Sequence, residues 1–132
     1  MGPGNKTVQY WIALSEYDLQ VAESLLEKGH YLYVGFLCHQ SVEKMLKAVY
    51  VYKHKAVPPY IHKLDKLIEL IGLENSLPEE KIDLIDELTP LNIQARYPAY
   101  KEAIYKLIDK EKARDIFART GEFIAWLKAS PK

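Results

Sequence analysis

YLYVGFLCHQSVEKMLKAVYVY, residues Tyr31 to Tyr52, is the stretch whose reading decides the fold. It holds no proline, and its only glycine is Gly35. A run of that length without a breaker predicts a long helix. Two stripes separate at helical spacing. The first carries Val34, Leu37, Cys38, Ser41, Met45, Ala48 and Tyr52 and is small and apolar. The second lies roughly opposite and carries Phe36, Gln40, Glu43, Lys47 and Tyr50. A surface helix pairs an apolar face with a charged one, whereas this helix keeps aromatics and only three polar side chains on its far side. It reads as a central helix, covered by its own domain on one face and lining a cleft or a second subunit on the other. Buried Gln40, Glu43 and Lys47 require partners, because an unpaired charge away from water is costly. Glu43 and Lys47 stand four apart in the favourable order and can pair with each other. A polar seam inside a bundle and a polar site for a ligand both fit this pattern.

Working outward, Thr7 is positioned to cap a first helix that runs to about Lys28, with Gly29 as its stop. The inner stripe of that helix is Trp11, Leu14, Asp18, Val21, Ala22 and Leu25. Asp18 interrupts it and calls for an arginine or lysine from another helix. The short link Gly29-His30 makes the first two helices antiparallel neighbours. Beyond His54, Lys55-Ala56-Val57-Pro58-Pro59-Tyr60 is a stiff loop that no helix can cross. A third, shorter helix spans about Ile61 to Ile71 and ends at Gly72, with His62 at its start. Ser76-Leu77-Pro78-Glu79 has the form of a capping box for a fourth helix built on Ile82, Ile85, Leu88 and Leu91, which Pro90 should kink or end. Pro98 disfavours helix at Tyr97, which puts Arg96 and Tyr97 at a helix exit or in a loop. Asp109 caps a last helix, Lys110 to about Lys128, with Ala113, Ile116, Phe117, Thr120, Ile124 and Leu127 inward. Strict alternation and hairpin turns are absent. The expectation is one all-α domain over residues 1–132, with its core at about 7–128: an up-and-down four-helix bundle with an additional short helix.

Composition narrows the function. The 132 residues are 48% apolar, and 18 basic residues balance 18 acidic ones. Binding driven by bulk charge on phosphates needs a basic excess, so contact with nucleic acid must be local and geometric. Ten tyrosines suit interfaces and base stacking, although most fill amphipathic helices. The single cysteine, Cys38, cannot form an internal disulfide and reads as a small buried hydrophobe. The start, MGPGNKT, has no apolar signal core, and no apolar run approaches the roughly 20 residues that span a bilayer. These features predict a soluble cytoplasmic protein without a membrane partner.

Several chemistries lack their residues. There is no phosphate-binding glycine loop and no C-x-x-C pair. Glu-x-x-His occurs once, at Glu27 to His30, where a di-iron bundle needs it twice. Cys38 and His39 are adjacent and point about 100° apart on a helix, which does not support a nucleophile pair. No metal site and no cofactor are expected. The remaining polar set is Gln40, Glu43 and Lys47, with His62 beside them and Arg96 and Tyr97 on the late loop. It suits a nucleotide or a strand end. It equally suits a buried ion-pair network joining two subunits.

Four pieces of the chain, in order, resemble HEPN domains, the nucleotide-binding domains of higher eukaryotes and prokaryotes. Trp11, Asp18, Leu19 and Ala22 match the family's first helix. Gln40, Glu43, Lys44, Lys47 and Ala48 resemble its Q-x-x-E-K-x-x-K-A signature. His62-Lys63-Leu64 with Leu67 is similar to its H-x-L-x-x-L element, and Ala95-Arg96-Tyr97-Pro98 to its A-R-Y-P element. The resemblance implies a bundle that pairs with itself as a homodimer. It also implies a minimal nucleotidyltransferase as partner, commonly as toxin and antitoxin, and a nucleotide or RNA as ligand. On that basis Arg96, Tyr97, Lys47 and His62 are the expected nucleotide-binding residues, supported by Gln40, Glu43, Lys44 and Asp18. Many members are metal-independent ribonucleases using R-x(4–6)-H. Here positions 101 to 103 are Lys101, Glu102 and Ala103, and no histidine follows Arg96. The expectation is therefore a non-catalytic domain. The alternatives are a ribonuclease in which His62 replaces the missing histidine and a structural dimerisation module.

Overall fold

The structure, a computed structural model, describes residues 5–92 and 108–129. Among them all regular structure is helical: α1 (Asn5–Lys28), α2 (Tyr31–His54), α3 (Leu64–Leu70), α4 (Glu79–Leu88), a 3-10 turn (Thr89–Leu91) and α5 (Lys110–Ala129). The fold is an all-α bundle of four longer helices with the short α3 beside them. Helix α2 is its axis and packs on α1, α5, α3 and α4. Val34, Cys38, Val42, Leu46 and Val51 are fully enclosed, so α2 is buried on more than one face, as a central helix must be.

Glycine sets two of the boundaries. Gly29 and Gly72 both take positive φ (84° and 74°). At each, the following N–H reaches back to a carbonyl five residues earlier: His30 N to Leu25 O (2.9 Å) and Leu73 N to Ile68 O (3.1 Å). This is the Schellman closure that satisfies a helix's last carbonyls, and glycine adopts it without a Cβ penalty. Lys53 and His54 of α2 finish the end of α3, with Lys53 Nζ donating to Ile71 O (2.7 Å) and His54 Nε2 to Leu70 O (2.8 Å).

Serines bring α1 and α2 together. Ser15 Oγ donates to Ser41 O (2.7 Å), Ser41 Oγ donates to Ser15 O (2.9 Å), and the two hydroxyls lie 3.1 Å apart. Both residues are fully buried. Small side chains let the backbones approach, and the reciprocal bonds remove the cost of burying two hydroxyls. Across α2, a Cβ on Gly35 would lie 2.8 Å from Leu91 Cδ1, so the 3-10 turn packs directly on that glycine. Glu87 joins α4 to α5 by accepting from Lys112 and from the Arg119 guanidinium.

Several boundaries differ from the sequence reading. Helix α1 begins at Asn5, so Thr7 lies inside it and is not its cap. Helix α3 starts at Leu64 instead of Ile61, because Lys63 is extended and Ile61 N closes a tight turn onto Pro59 O (2.8 Å). Ser76 forms no capping box: Pro78 is the residue before α4, and Ser76 N belongs to a turn on Leu73 O. Ile82 and Tyr52 are exposed, and Leu84 and Phe123 fill core positions that the stripes omitted. Helix α4 ends at Leu88 and tightens into the 3-10 turn that contains Pro90, where a proline removes the N–H needed to continue. Asp109 caps α5 through Lys112 N (2.8 Å). The expectation for Arg96 and Tyr97 lies outside the described residues. No helix among the described residues is long and apolar enough to cross a membrane.

Two substitutions test this packing in opposite directions. Ser15→Val removes the reciprocal bonds and overfills the crossing, and should lower the unfolding free energy by about 2 kcal/mol in urea titration. Gly121→Ala, at a mid-helix position where a Cβ meets nothing within 4 Å, should raise it by about 1 kcal/mol.

Candidate functional site

Glu43 is 4% exposed and Lys47 5%, on the inner part of α2. A charge so enclosed needs a counter-charge and hydrogen bonds. Lys47 Nζ donates to Glu43 Oε2 at 3.1 Å, one helical turn away. The same oxygen meets His62 Nδ1 at 2.8 Å. A carboxylate only accepts, so Nδ1 carries the hydrogen and Nε2 is the nitrogen left for other chemistry. His62 comes from the segment between α2 and α3 and is 48% exposed. Glu43 thus joins a buried ammonium to an imidazole at the surface.

Aromatic rings surround the ammonium. Lys47 Nζ lies 5.7 Å from the Trp11 ring centroid and 6.0 Å from that of Tyr60. Both distances fall within the reach of cation–π attraction. The Tyr60 and His62 rings meet edge to face, 4.9 Å between centroids. Glu43 Oε1 has no hydrogen-bond donor among the described residues. His39 Nδ1 stands 3.9 Å from it and 3.4 Å from Gln40 Nε2, which is placed to donate to that nitrogen. Asp18 and Lys44 form a separate pair at 2.5 Å between α1 and α2.

The structure therefore brings Glu43, Lys47 and His62 together, places Gln40 beside them through His39, and sets Asp18 with Lys44 apart. Arg96 and Tyr97 lie outside the described residues. Sequence reasoning missed His39, Trp11 and Tyr60 as neighbours of the cluster. His39 had a usable signal, since it stands four residues before Glu43 and shares its face. Trp11 and Tyr60 had none, because their approach to Lys47 depends on tertiary packing.

Cys38 is chemically quiet. Burial pushes its thiol up to about 12 from its ordinary value of 9.0, and the Thr120 hydroxyl acts weakly in the other direction. The larger clefts lined by described residues lie away from the charged cluster. One, of about 330 Å³, is lined mainly by apolar residues of α1, α2 and α5, among them Val8, Ile12, Met45 and Leu127. The other, of about 470 Å³, runs between α1 and α5 beside Gly121.

The HEPN domain family model matches residues 8–130, nearly the whole chain. The chain belongs to the HEPN domain family. Its fold is similar to the crystal structure of TT1696 from Thermus thermophilus, with TM-score 0.76 and 18% identity over 92% of this chain and 95% of that one. It is also similar to ST0689, an archaeal HEPN homologue, with TM-score 0.70 and 20% identity over 92% and 94% of the two chains. No curated protein matches.

Two outcomes check the site. Glu43→Leu and Lys47→Met should each cost about 3 kcal/mol in denaturation, because each leaves a buried partner charge. The double variant should recover most of that loss, a coupling that a double-mutant cycle reads directly. Cys38 should resist alkylation in the folded protein at neutral pH. Its folded pKa is raised, so its contribution to stability is present below the ordinary value of 9.0 and lost as pH rises towards about 12.

Proposed function

We propose that this chain is a nucleotide-binding HEPN domain, non-catalytic, that acts as a homodimer beside a minimal nucleotidyltransferase in a pair of toxin–antitoxin type. One observation carries the reading: Glu43 holds Lys47 and His62 on a single oxygen from two parts of the fold. As the imidazolium, His62 keeps Nδ1–H on Glu43 and presents Nε2–H at the surface with the Lys47 cation behind it, which suits a phosphate, and the ring need not be ordered at the moment of binding. Arg96 would add a bidentate clamp and Tyr97 a stacking surface. The absence of histidine after Arg96 supports binding over cleavage.

Isothermal titration calorimetry with ATP is the test. Wild type should bind, and both Arg96→Ala and His62→Ala should weaken binding by about tenfold, the scale of one charge-assisted hydrogen bond. A wild type that gives no heat, where a known nucleotide binder responds, contradicts the proposal.

A second reading has its own support. His62 is oriented through Nδ1 by a buried carboxylate, the arrangement that fixes an imidazole for proton transfer at Nε2. A ribonuclease of that kind would cleave RNA in the presence of EDTA and lose activity in His62→Ala. Intact RNA after prolonged incubation with the pure protein, free of any partner, removes this reading.

A further inference from the structure

Tyr60 is 91% exposed, so the fold gains little from burying its ring. The backbone that carries it is nevertheless held in place. Pro58 and Pro59 precede it and fix their own φ. Ile61 N closes onto Pro59 O at 2.8 Å, and the Ile61 side chain packs on the core. On the other side of the loop, Lys55 takes a left-handed conformation, with its N–H on Val51 O at 2.9 Å. The ring thus stands on a short segment tied down at both ends, within 6.0 Å of the Lys47 ammonium and edge to face with His62.

From this placement we infer that Tyr60 is the stacking platform for a nucleobase, whose attached phosphates meet His62 and the charge of Lys47. The inference rests on the nucleotide-binding reading and adds to it a second aromatic contact to the base, beside the one given to Tyr97. A base offers a flat π-face that an exposed tyrosine matches without sequence-specific hydrogen bonds. The ordering cost of such a contact is low, because the prolines and the turn have already fixed the loop. The neighbouring imidazole lies on the path from base to phosphate, so one nucleotide can engage both groups. Trp11 takes no part in stacking: it is partly buried against the core and closes the inner side of Lys47.

The test uses the full chain with two probes, ATP and inorganic tripolyphosphate, against wild type, Tyr60→Ala and Tyr60→Trp. Loss of one stacked base is worth about tenfold in affinity. Tyr60→Ala should therefore weaken ATP by about that factor and leave tripolyphosphate unchanged, while Tyr60→Trp binds ATP at least as well as wild type. Equal ATP affinity in wild type and Tyr60→Ala overturns the inference. If Arg96→Ala and His62→Ala still lose ATP in that case, the nucleotide-binding reading stands and the base lies elsewhere. An equal loss of both probes in Tyr60→Ala also overturns it, since the ring would then serve the phosphates. Sedimentation of Tyr60→Ala supplies the last arm: an assembly that falls apart makes Tyr60 a contact between copies and rejects the stacking role.

Discussion

A carboxylate removed from water has to be met by donors, and at Glu43 they arrive from two directions. Lys47 reaches back one turn along the same helix, and His62 reaches in from the segment that leads to α3. The first contact is local and would form in an isolated helix. The second is tertiary and fixes where the chain beyond α2 returns. Removing the carboxylate would leave an ammonium in a ring-lined recess and a histidine with no reason to face inward. The arrangement resembles a buried ion pair in energy, where Coulomb attraction largely offsets desolvation. What it contributes beyond stability is position: a cation and an imidazole held near one another before any ligand arrives.

The rest of the bundle keeps this group in place. Ser15 and Ser41 draw α1 against α2, which brings Trp11 within range of Lys47. Gly29 turns the chain so that the two helices run antiparallel, and Lys53 and His54 pin the end of α3 close to the end of α2. The loop carrying Tyr60 and His62 is therefore short and held at both ends. Cys38, deep on the opposite side of α2, shows the contrast. Its thiol is buried without a basic partner and is held protonated, as a packing residue would be.

Much of this was legible in the sequence, for physical reasons that differ from place to place. The central helix declared itself by length and by the absence of breakers, and its polar stripe by spacing. The carboxylate at position 18 implied a basic partner, which proved to be Lys44. Three of the boundary signals that worked have a steric basis, Gly29, Gly72 and Pro90, and a fourth, the Asp109 cap, rests on a hydrogen bond to an N–H that has no partner within its helix. Those that failed relied on hydrogen bonds with close competitors. Ser76 joins a turn instead of a capping box, and the segment before Leu64 stays extended. The Ser15–Ser41 pair and the Tyr60 platform were not legible, because each depends on which parts of the fold meet, and helical spacing carries no information about that.

The site depends on Glu43 accepting from His62 Nδ1, and the protonation pattern of that ring reports on it most directly. Long-range proton–nitrogen NMR spectra of the histidines, recorded where His62 is neutral, distinguish the two tautomers. The structure requires His62 to carry its hydrogen on Nδ1 and to lose that preference when Glu43 is replaced by leucine. A wild-type His62 with the hydrogen on Nε2, or the same tautomer in wild type and Glu43→Leu, would show that the carboxylate does not hold the ring, and the site built on it would not exist.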